Sequence, residues 1–378
     1  MPSLSPRRTS SRRIGGRRMV AVAAVAGAAL CVAACGSSSG SPTTTAAAGG
    51  VSAVASNAPV TLRLGYLTNL THAAALVGVQ DGYFKQSLPS NVTLQTATYN
   101  AGPAEVTALL AGSLDAAYMG PNSAINAYTQ GKGAIRIISG ATSGGAALVV
   151  SPSITSSSQL KGKTIATPQL GNTQDVALRT WLKKQGLTFP GPNGGSGDVT
   201  ILPEDNATTL TSFEAGTIAG AWVPEPWASR LVTEGGGKVL VDEKSLWPQG
   251  AFVTTHLIVS TDFLAKYPGT VTKLLEAEAA TLDTVKADPA KAKTTANEAL
   301  KALTGKTLAP AVLDRAFDNL TLTLDPIAST LQVSADHGVE VGTTKKADLS
   351  GIYDLTLLNA LLKQRGEQPV SAAGLGKE

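Results

Sequence analysis

Five short segments of the sequence lie at the ends of strand-like runs and are rich in Asn, Gly, Ser, Thr and Gln. They are residues 69–72, 100–103, 120–123, 141–144 and 169–174. In open α/β sheets, ligands bind beyond the carboxyl ends of the strands, where helix N-termini present free N–H groups. Because no Lys or Arg stands at the centre of these segments, we expect neutral donors to hold an anion or a polar neutral ligand. Taken singly, each segment is also typical of ordinary helix capping.

A sixth segment, residues 222–227, has the sequence WVPEPW. Two tryptophans and two prolines within six residues predict a rigid, partly apolar wall that carries one carboxylate, Glu225. Such a wall could cover the non-ionic part of a ligand. The alternative is that Trp222 and Trp227 are both core residues.

Catalytic residue types are scarce in the sequence. It has three histidines, His72, His256 and His337, and its two cysteines, Cys31 and Cys35, both stand near the N-terminus. Phosphate-binding, dinucleotide-binding and zinc-protease motifs are missing from the sequence. We therefore predict a protein that is not an enzyme and has no cofactor or metal site, in which the three histidines have structural roles or lie near the site.

Short β-like runs alternate with amphipathic runs after residue 59, which is typical of α/β proteins. Strands are predicted at residues 60–66, 91–98, 114–118, 134–138, 146–150, 163–166, 199–202, 218–222 and 252–260. Helices are predicted to begin near residues 71, 102, 121, 172, 206 and 226, and residues 262–359 are predicted to be a mostly helical scaffold.

The N-terminus resembles an export signal. Six arginines precede residue 19, residues 19–34 are a run of small apolar residues, and VAAC at residues 32–35 resembles a bacterial lipobox. We predict a signal peptide at residues 1–34, lipid attachment at Cys35 and a flexible tether at residues 35–59. An uncleaved membrane anchor is the alternative, although 16 residues are short for the hydrocarbon core of a bilayer.

The charge balance argues against a nucleic-acid partner. The formal net charge is +4, but residues 35–378 carry 25 Lys and Arg against 27 Asp and Glu. This part has no basic block and few aromatic residues for stacking on bases.

Several motifs resemble the substrate-binding proteins of ABC importers, in particular the aliphatic sulfonate, nitrate and taurine family. They are LGY at residues 64–66, AAALVGVQDGYF at 73–84, LLAGSLD at 109–115, GP at 120–121, LKGKTIA at 160–166, FEAG at 213–216 and WVPEP at 222–226. The resemblance covers about residues 62–362. It implies an α/β, two-lobed periplasmic-binding-protein-like fold of type II, with a ligand cleft between lobes joined by two crossing strands.

On this resemblance, lobe 1 consists of residues 60–145 and 255–378, and lobe 2 of residues 146–254. Hinges are expected near residues 140–147 and 250–255. The implied partners are a small-molecule ligand, an ABC transporter permease and, through Cys35, the outer face of the cell membrane. A monomer is expected, because such a protein must open and close.

The ligand-binding residues that the resemblance implies are spread over all six segments. They are Asn69, Thr71, His72, Asn100, Gly102, Gly120, Asn122, Thr142, Ser143, Gly171, Asn172, Thr173, Gln174, Trp222 and Glu225.

We favour an aliphatic sulfonate as the ligand, because a bare nitrate would not use an apolar tryptophan wall. Nitrate, taurine and a thiamine-precursor or other heteroaromatic ligand remain alternatives. A pyrimidine-precursor synthase-like enzyme is a distant alternative, against which the export signal and the missing cysteines argue.

Overall fold

The structure, a computed structural model, describes residues 58–378. The predicted signal peptide, the lipobox with Cys35 and nearly all of the predicted tether lie outside the described residues. None of the helices that the structure describes is long and apolar enough to cross a membrane.

The described strands follow in chain order. They are β1 (Val60–Leu67), β2 (Val92–Tyr99), β3 (Ala116–Met119), β4 (Ile135–Gly144), β5 (Ala146–Val150), β6 (Lys163–Thr167), β7 (Val199–Pro203), β8 (Gly220–Pro224), β9 (Lys238–Asp242), β10 (Val253–Ser260), β11 (Leu320–Leu322), β12 (Tyr353–Asp354) and β13 (Gly376–Lys377).

The helices lie between these strands and in a long C-terminal block. They are α1 (Ala73–Gln80), α2 (Tyr83–Ser87), α3 (Gly102–Leu110), α4 (Pro121–Gln130), α5 (Thr173–Lys184), α6 (Asn206–Glu214), α7 (Trp227–Thr233), α8 (Thr261–Lys266), α9 (Pro268–Ala287), α10 (Pro289–Thr304), α11 (Pro310–Asp318), α12 (Leu331–Glu340) and α13 (Thr356–Gln364).

Two sheets define two lobes. The sheet of lobe 1 has the order β13-β12-β4-β10-β3-β1-β2, with β11 paired to β4, and the sheet of lobe 2 has the order β7-β6-β8-β5-β9. Parallel pairs such as β1 with β2 and β6 with β7 arise from strand–helix–strand units, whereas β10 is antiparallel to both β3 and β4. The predicted two-lobed α/β fold is confirmed.

The chain crosses between the lobes twice. β4 of lobe 1 leads into β5 of lobe 2 through Gly144 and Gly145, both of which have left-handed φ angles (78° and 77°) that favour glycine. A side-chain carbon at Gly145 would lie 2.2 Å from the side chain of Leu320, so the crossing is also tightly packed. The second crossing runs from the end of β9 through two short 3-10 turns to β10.

Most predicted strands and helices are confirmed, and the predicted strand at residues 146–150 has the same ends in the structure. β9 was not predicted. It is an edge strand that pairs only with β5, and none of its residues is fully buried, so its hydrophobic pattern is weak. The C-terminal region is mostly helical as predicted, but it also contributes the short strands β11–β13 to lobe 1.

Candidate functional site

An opening between the two lobes, here called the front cleft, has walls from both lobes. Asn69, Asn100 and Lys306 line it from lobe 1, and Trp227 and Arg230 line it from lobe 2. The volume of the front cleft is about 590 Å³. A small organic molecule in this cleft would contact both lobes at once.

Direct hydrogen bonds join the lobes beside the front cleft. The indole Nε1–H of Trp227 donates to Oδ1 of Asn69 (2.9 Å), and the Leu70 N–H donates to the Glu225 carbonyl (3.0 Å). Asn100 Nδ2 donates to Oδ2 of Asp205 at 3.3 Å. The structure therefore shows the lobes in mutual contact, with Asn69 and Asn100 at the contact as well as in the lining.

Charged groups in the front cleft come from residues outside the predicted set. The guanidinium of Arg230 lies 4.8 Å from the ring centroid of Trp227 and forms an ion pair with Glu234 at 2.8 Å. Lys306, Asp205 and Glu214 also line the cleft. Sequence reasoning missed these residues because it considered only strand ends. The position of Arg230, three residues after Trp227 on one helix, was the available signal.

The segment before α5 has a fixed polar geometry centred on the buried carboxylate of Asp175. This carboxylate accepts hydrogen bonds from the Gly171 N–H (2.9 Å), the Thr167 hydroxyl (3.0 Å) and Arg179 Nε (2.9 Å). The Asp175 N–H in turn donates to Oδ1 of Asn172, which caps α5 at 2.8 Å.

Two other predicted residues of this segment are Gln174, which has a polar partner, and Thr173, which lies close to the other lobe. Asn172 Nδ2 donates to Oε1 of Gln174 at 3.1 Å. A side-chain carbon at Gly120 of lobe 1 would lie 2.6 Å from Oγ1 of Thr173 in lobe 2. Gly120 thus allows the two lobes to approach closely at this point.

The segment before α1 places His72 in the interior of lobe 1. Its Nδ1 accepts a hydrogen bond from the Leu67 N–H (3.2 Å), and its ring contacts Tyr118 at a centroid distance of 6.5 Å. Burial lowers the pKa of His72 to about 3, so the ring is neutral. Thr71 is buried beside it.

The crossing strands carry two buried hydroxyl groups without hydrogen-bond partners. Thr142 of β4 and Thr255 of β10 are neighbours in register, both are 0% exposed, and neither Oγ1 has a partner among the described residues. Ser143 is also buried. The hydroxyl of the adjacent Thr254, by contrast, donates to the Gly144 carbonyl. Unpartnered buried donors are rare, and a ligand is one way to satisfy them.

The remaining predicted residues near α3 and α4 have packing roles. Gly102 approaches Ser123 so closely that a side-chain carbon would lie 2.1 Å from the Ser123 hydroxyl oxygen. Asn122 Nδ2 donates to the Ser334 carbonyl at 2.9 Å. Asn122 and Thr173 line a second space between the lobes, separate in its lining from the front cleft.

The two tryptophans of residues 222–227 do not form one wall, which corrects the expectation. Trp222 is 0% exposed, packs on Trp181 in the lobe 2 core and donates its Nε1–H to Oε2 of Glu243 (2.7 Å). Only Trp227 lines the front cleft. The reason is that Trp222 lies within strand β8, whose side chains alternate between the sheet faces, whereas Trp227 begins helix α7.

The carboxylate of Glu225 is occupied by protein donors and does not form part of a ligand wall. Its Oε1 accepts from Asn319 Nδ2 (2.7 Å) and the Ser229 hydroxyl (3.0 Å), and its Oε2 accepts from the Ser229 N–H (3.0 Å). Burial raises the pKa of Glu225, and these hydrogen bonds oppose the rise. Glu225 therefore ties the start of α7 to the end of α11.

No group of three or more His, Cys, Asp and Glu residues that could hold a metal ion occurs within residues 58–378. His256 is buried in lobe 1, where its Nε2 lies 3.2 Å from the Pro326 carbonyl, and burial lowers its pKa to about 4. The described histidines thus do not form a metal site.

The two-lobed fold agrees with the comparisons to known proteins. The model of the NMT1-like family matches residues 55–300, and the chain belongs to this family. The predicted relationship to the binding proteins of ABC importers is confirmed at the level of family and fold.

The chain spans about half the length of the curated relatives that it matches. A putative binding protein of Brucella abortus (strain 2308) is 30% identical over 177 residues, which are 46% of this chain and 50% of that protein. The taurine-binding periplasmic protein of Escherichia coli (strain K12) is 28% identical over 183 residues, or 48% of this chain and 54% of that protein.

Solved structures match over most of the described residues. The alkanesulfonate-binding protein of Xanthomonas axonopodis pv. citri bound to MOPS has a TM-score of 0.64 at 21% identity and covers 76% of this chain and 96% of that one. The periplasmic nitrate-binding protein of Synechocystis PCC 6803 has a TM-score of 0.68 at 16% identity and covers 81% and 89%. At these identities the likeness shows the fold.

Proposed function

We propose that the protein is an extracytoplasmic solute-binding lipoprotein, which captures a small anionic organic solute and delivers it to the permease of an ABC importer. The observation that carries the proposal is that both lobes line the front cleft and form hydrogen bonds beside it. Lipid attachment at Cys35, a monomeric state and an ABC permease as partner belong to the same proposal.

The mechanism is an equilibrium between an open and a closed arrangement of the lobes. The chain crossings at residues 144–145 and 243–252 are where rotation would occur, within or beside the hinges expected from the sequence. A ligand that contacts Asn69 on one lobe and Trp227 on the other stabilises only the closed arrangement. Occupancy is thereby converted into a shape that a permease can recognise.

An aliphatic sulfonate is the ligand that we favour. Arg230 and Lys306 supply positive charge, and the Trp227 ring supplies an apolar surface for an alkyl chain. The relatives named as alkanesulfonate- and taurine-binding proteins support this class.

An aminosulfonate such as taurine is the second candidate. Asp205, Glu214 and Glu234 also line the front cleft and could accept hydrogen bonds from an ammonium group. Nitrate, which has no apolar part, would leave Trp227 unused.

The test is isothermal titration calorimetry of the purified chain against alkanesulfonates, taurine, nitrate, bicarbonate, thiamine precursors and riboflavin. We expect saturable binding of a sulfonate, weakened about tenfold or more in Arg230→Gln, because the loss of a charge-assisted contact costs about 1.5–3 kcal/mol. Arg365→Gln, which removes an ion-pairing arginine outside the cleft, is the matched control. Binding of a heteroaromatic compound alone would overturn the sulfonate assignment, and no binding at all would overturn the proposed function.

A further inference from the structure

The second space between the lobes, here called the aromatic cavity, has an unusual lining. It lies between α4, α5, α12 and the segment that returns the chain from lobe 2 to lobe 1. Its lining includes the rings of Trp181, Trp247 and Phe252, the carboxylate of Glu243 and the hydroxyl of Thr180. The volume of the cavity is about 40 Å³, which is room for about three waters or a group of similar size.

The aromatic rings come from two different elements and are held by their own contacts. Trp247 stacks on Phe252 with a centroid distance of 5.5 Å and an interplanar angle of 8°. Trp181, on α5, packs against the core residue Trp222. Faces of Trp and Phe rings carry negative electrostatic potential and attract cations.

Glu243 adds a buried carboxyl group beside these rings. It is 2% exposed, its Oε2 accepts the Trp222 Nε1–H (2.7 Å), the Trp247 side chain also hydrogen-bonds to it, and no salt bridge to it occurs within residues 58–378. A buried carboxylate without a cationic partner is costly, and burial raises its pKa to about 7. The Thr180 hydroxyl, on a residue that is 3% exposed, likewise has no hydrogen-bond partner among the described residues.

The positive groups of the lining are at the edge. Lys184 is exposed, and His337 is half-buried, with its pKa lowered by burial and then by Lys184. A neutral His337 does not compete for Glu243. An anion inside the cavity would lie close to the Glu243 carboxylate, whereas a small cation would lie close to this carboxylate and to the aromatic side chains of the lining.

We infer that the aromatic cavity is a binding site for a small alkylammonium group, enclosed by Trp181, Trp247 and Phe252 and paired with Glu243. The available space fits methylammonium or dimethylammonium. This site goes beyond the proposed function, because it does not include the front-cleft residues Asn69, Trp227 and Arg230, although two predicted ligand-binding residues, Asn122 and Thr173, line it. Since its lining comes from both lobes and the returning segment, an occupant would favour the closed arrangement.

The test is calorimetry and tryptophan fluorescence with methylammonium and dimethylammonium chloride at pH 8, with sodium chloride as the ionic-strength control. We expect saturable binding to the wild-type chain and about tenfold or weaker binding to Glu243→Gln and to Trp247→Leu, as expected for a desolvated cation–π site. Glu340→Gln, an exposed carboxylate on α12 that pairs with Lys183, should bind like the wild type.

Two further variants keep the result interpretable. Thr180→Val is nearly isosteric and removes only the unpartnered hydroxyl, so it provides a second test if Glu243→Gln does not fold. Arg230→Gln should leave alkylammonium binding unchanged while it weakens sulfonate binding, which separates this proposal from the front-cleft one. Absence of saturable binding to the folded wild type, or binding as tight as that of the wild type by Glu243→Gln and Trp247→Leu, would overturn the inference.

Discussion

Two buried carboxylates, one in each lobe, have partners of very different charge. Asp175 of lobe 2 pairs with Arg179, and both side chains are almost completely buried (0% and 3% exposed). Glu278 of lobe 1 is equally buried, but its partner is the neutral hydroxyl of Tyr118, and its Oε1 has no hydrogen-bond partner among the described residues.

A similar difference separates the start of α5 in lobe 2 from the crossing strands of lobe 1. Asp175 fixes the backbone at Gly171, and Asn172 caps α5 through the Asp175 N–H, so these groups at the start of α5 are paired. On the lobe 1 side, the Thr142 and Thr255 hydroxyls have no partner. We conclude that the start of α5 is a prearranged part of the lobe 2 surface, whereas the crossing strands β4 and β10 retain hydrogen-bonding capacity that a ligand could use.

The largest expected effect tests the paired side. Arg179→Met should lower the free energy of unfolding by about 3–5 kcal/mol, because it leaves the Asp175 carboxylate buried and unpaired. Urea unfolding followed by circular dichroism measures this loss. Arg365→Met, which breaks exposed ion pairs, is the control and should cost no more than about 1 kcal/mol. Equal losses in the two variants would mean that the pair is no more important than surface charge.

The second prediction tests the unpaired carboxylate. Burial raises the pKa of Glu278 from its ordinary value of 4.5 to about 8, so between these pH values the folded state binds more protons than the unfolded state. Its contribution to stability should therefore decrease as the pH rises from about 4.5 to 8.

Glu278→Gln should remove this pH dependence and raise the free energy of unfolding at pH 8 by about 1–3 kcal/mol. Urea unfolding at pH 5, 6.5 and 8 measures both effects. Glu276→Gln alters a nearby, partly exposed carboxylate that pairs with Lys273 and should leave the pH dependence unchanged. A wild-type-like pH profile of Glu278→Gln would show that Glu278 is ionised and satisfied in the folded state.

The smallest expected effect on stability tests the unpartnered hydroxyls. Thr142→Val and Thr255→Val should leave the free energy of unfolding unchanged or raise it by up to about 1 kcal/mol, because each removes a buried donor without a partner. The same variants should weaken ligand binding by about 2- to 10-fold if the ligand uses these hydroxyls. Calorimetry with the ligand identified among the compounds named under Proposed function measures this change.

Thr254→Val is the matched control for the two threonine variants. Its hydroxyl donates to the Gly144 carbonyl, so its loss should cost about 0.5–1.5 kcal/mol of stability. If all three variants behave alike, the distinction between paired and unpaired hydroxyls is wrong.

Local patterns in the sequence were sufficient for most of the fold. Alternating and continuous apolar runs located β1, β5, β6 and β7 within one residue, and Gly-Pro pairs located the starts of α3 and α4. The pattern failed for β9, whose residues are only partly buried at a sheet edge. Periodicity reports burial, so it is weak where burial is weak.

The candidate site was predicted less completely. The segments at Asn69 and Asn100 do line the front cleft, because parallel strands bring their carboxyl ends to one edge of the sheet. Arg230 and Lys306 were missed because they lie on a helix and a loop that reach the cleft only through lobe packing.

The sequence by itself determined which residues form strands and helices and where polar segments end the strands, since these depend on neighbours a few residues away. Only the tertiary structure decided which polar group meets which partner. Glu225 is bound by Asn319, 94 residues later in the chain, and Trp227 by Asn69, 158 residues earlier. Such pairings depend on how two lobes meet in space, and no local periodicity encodes that distance.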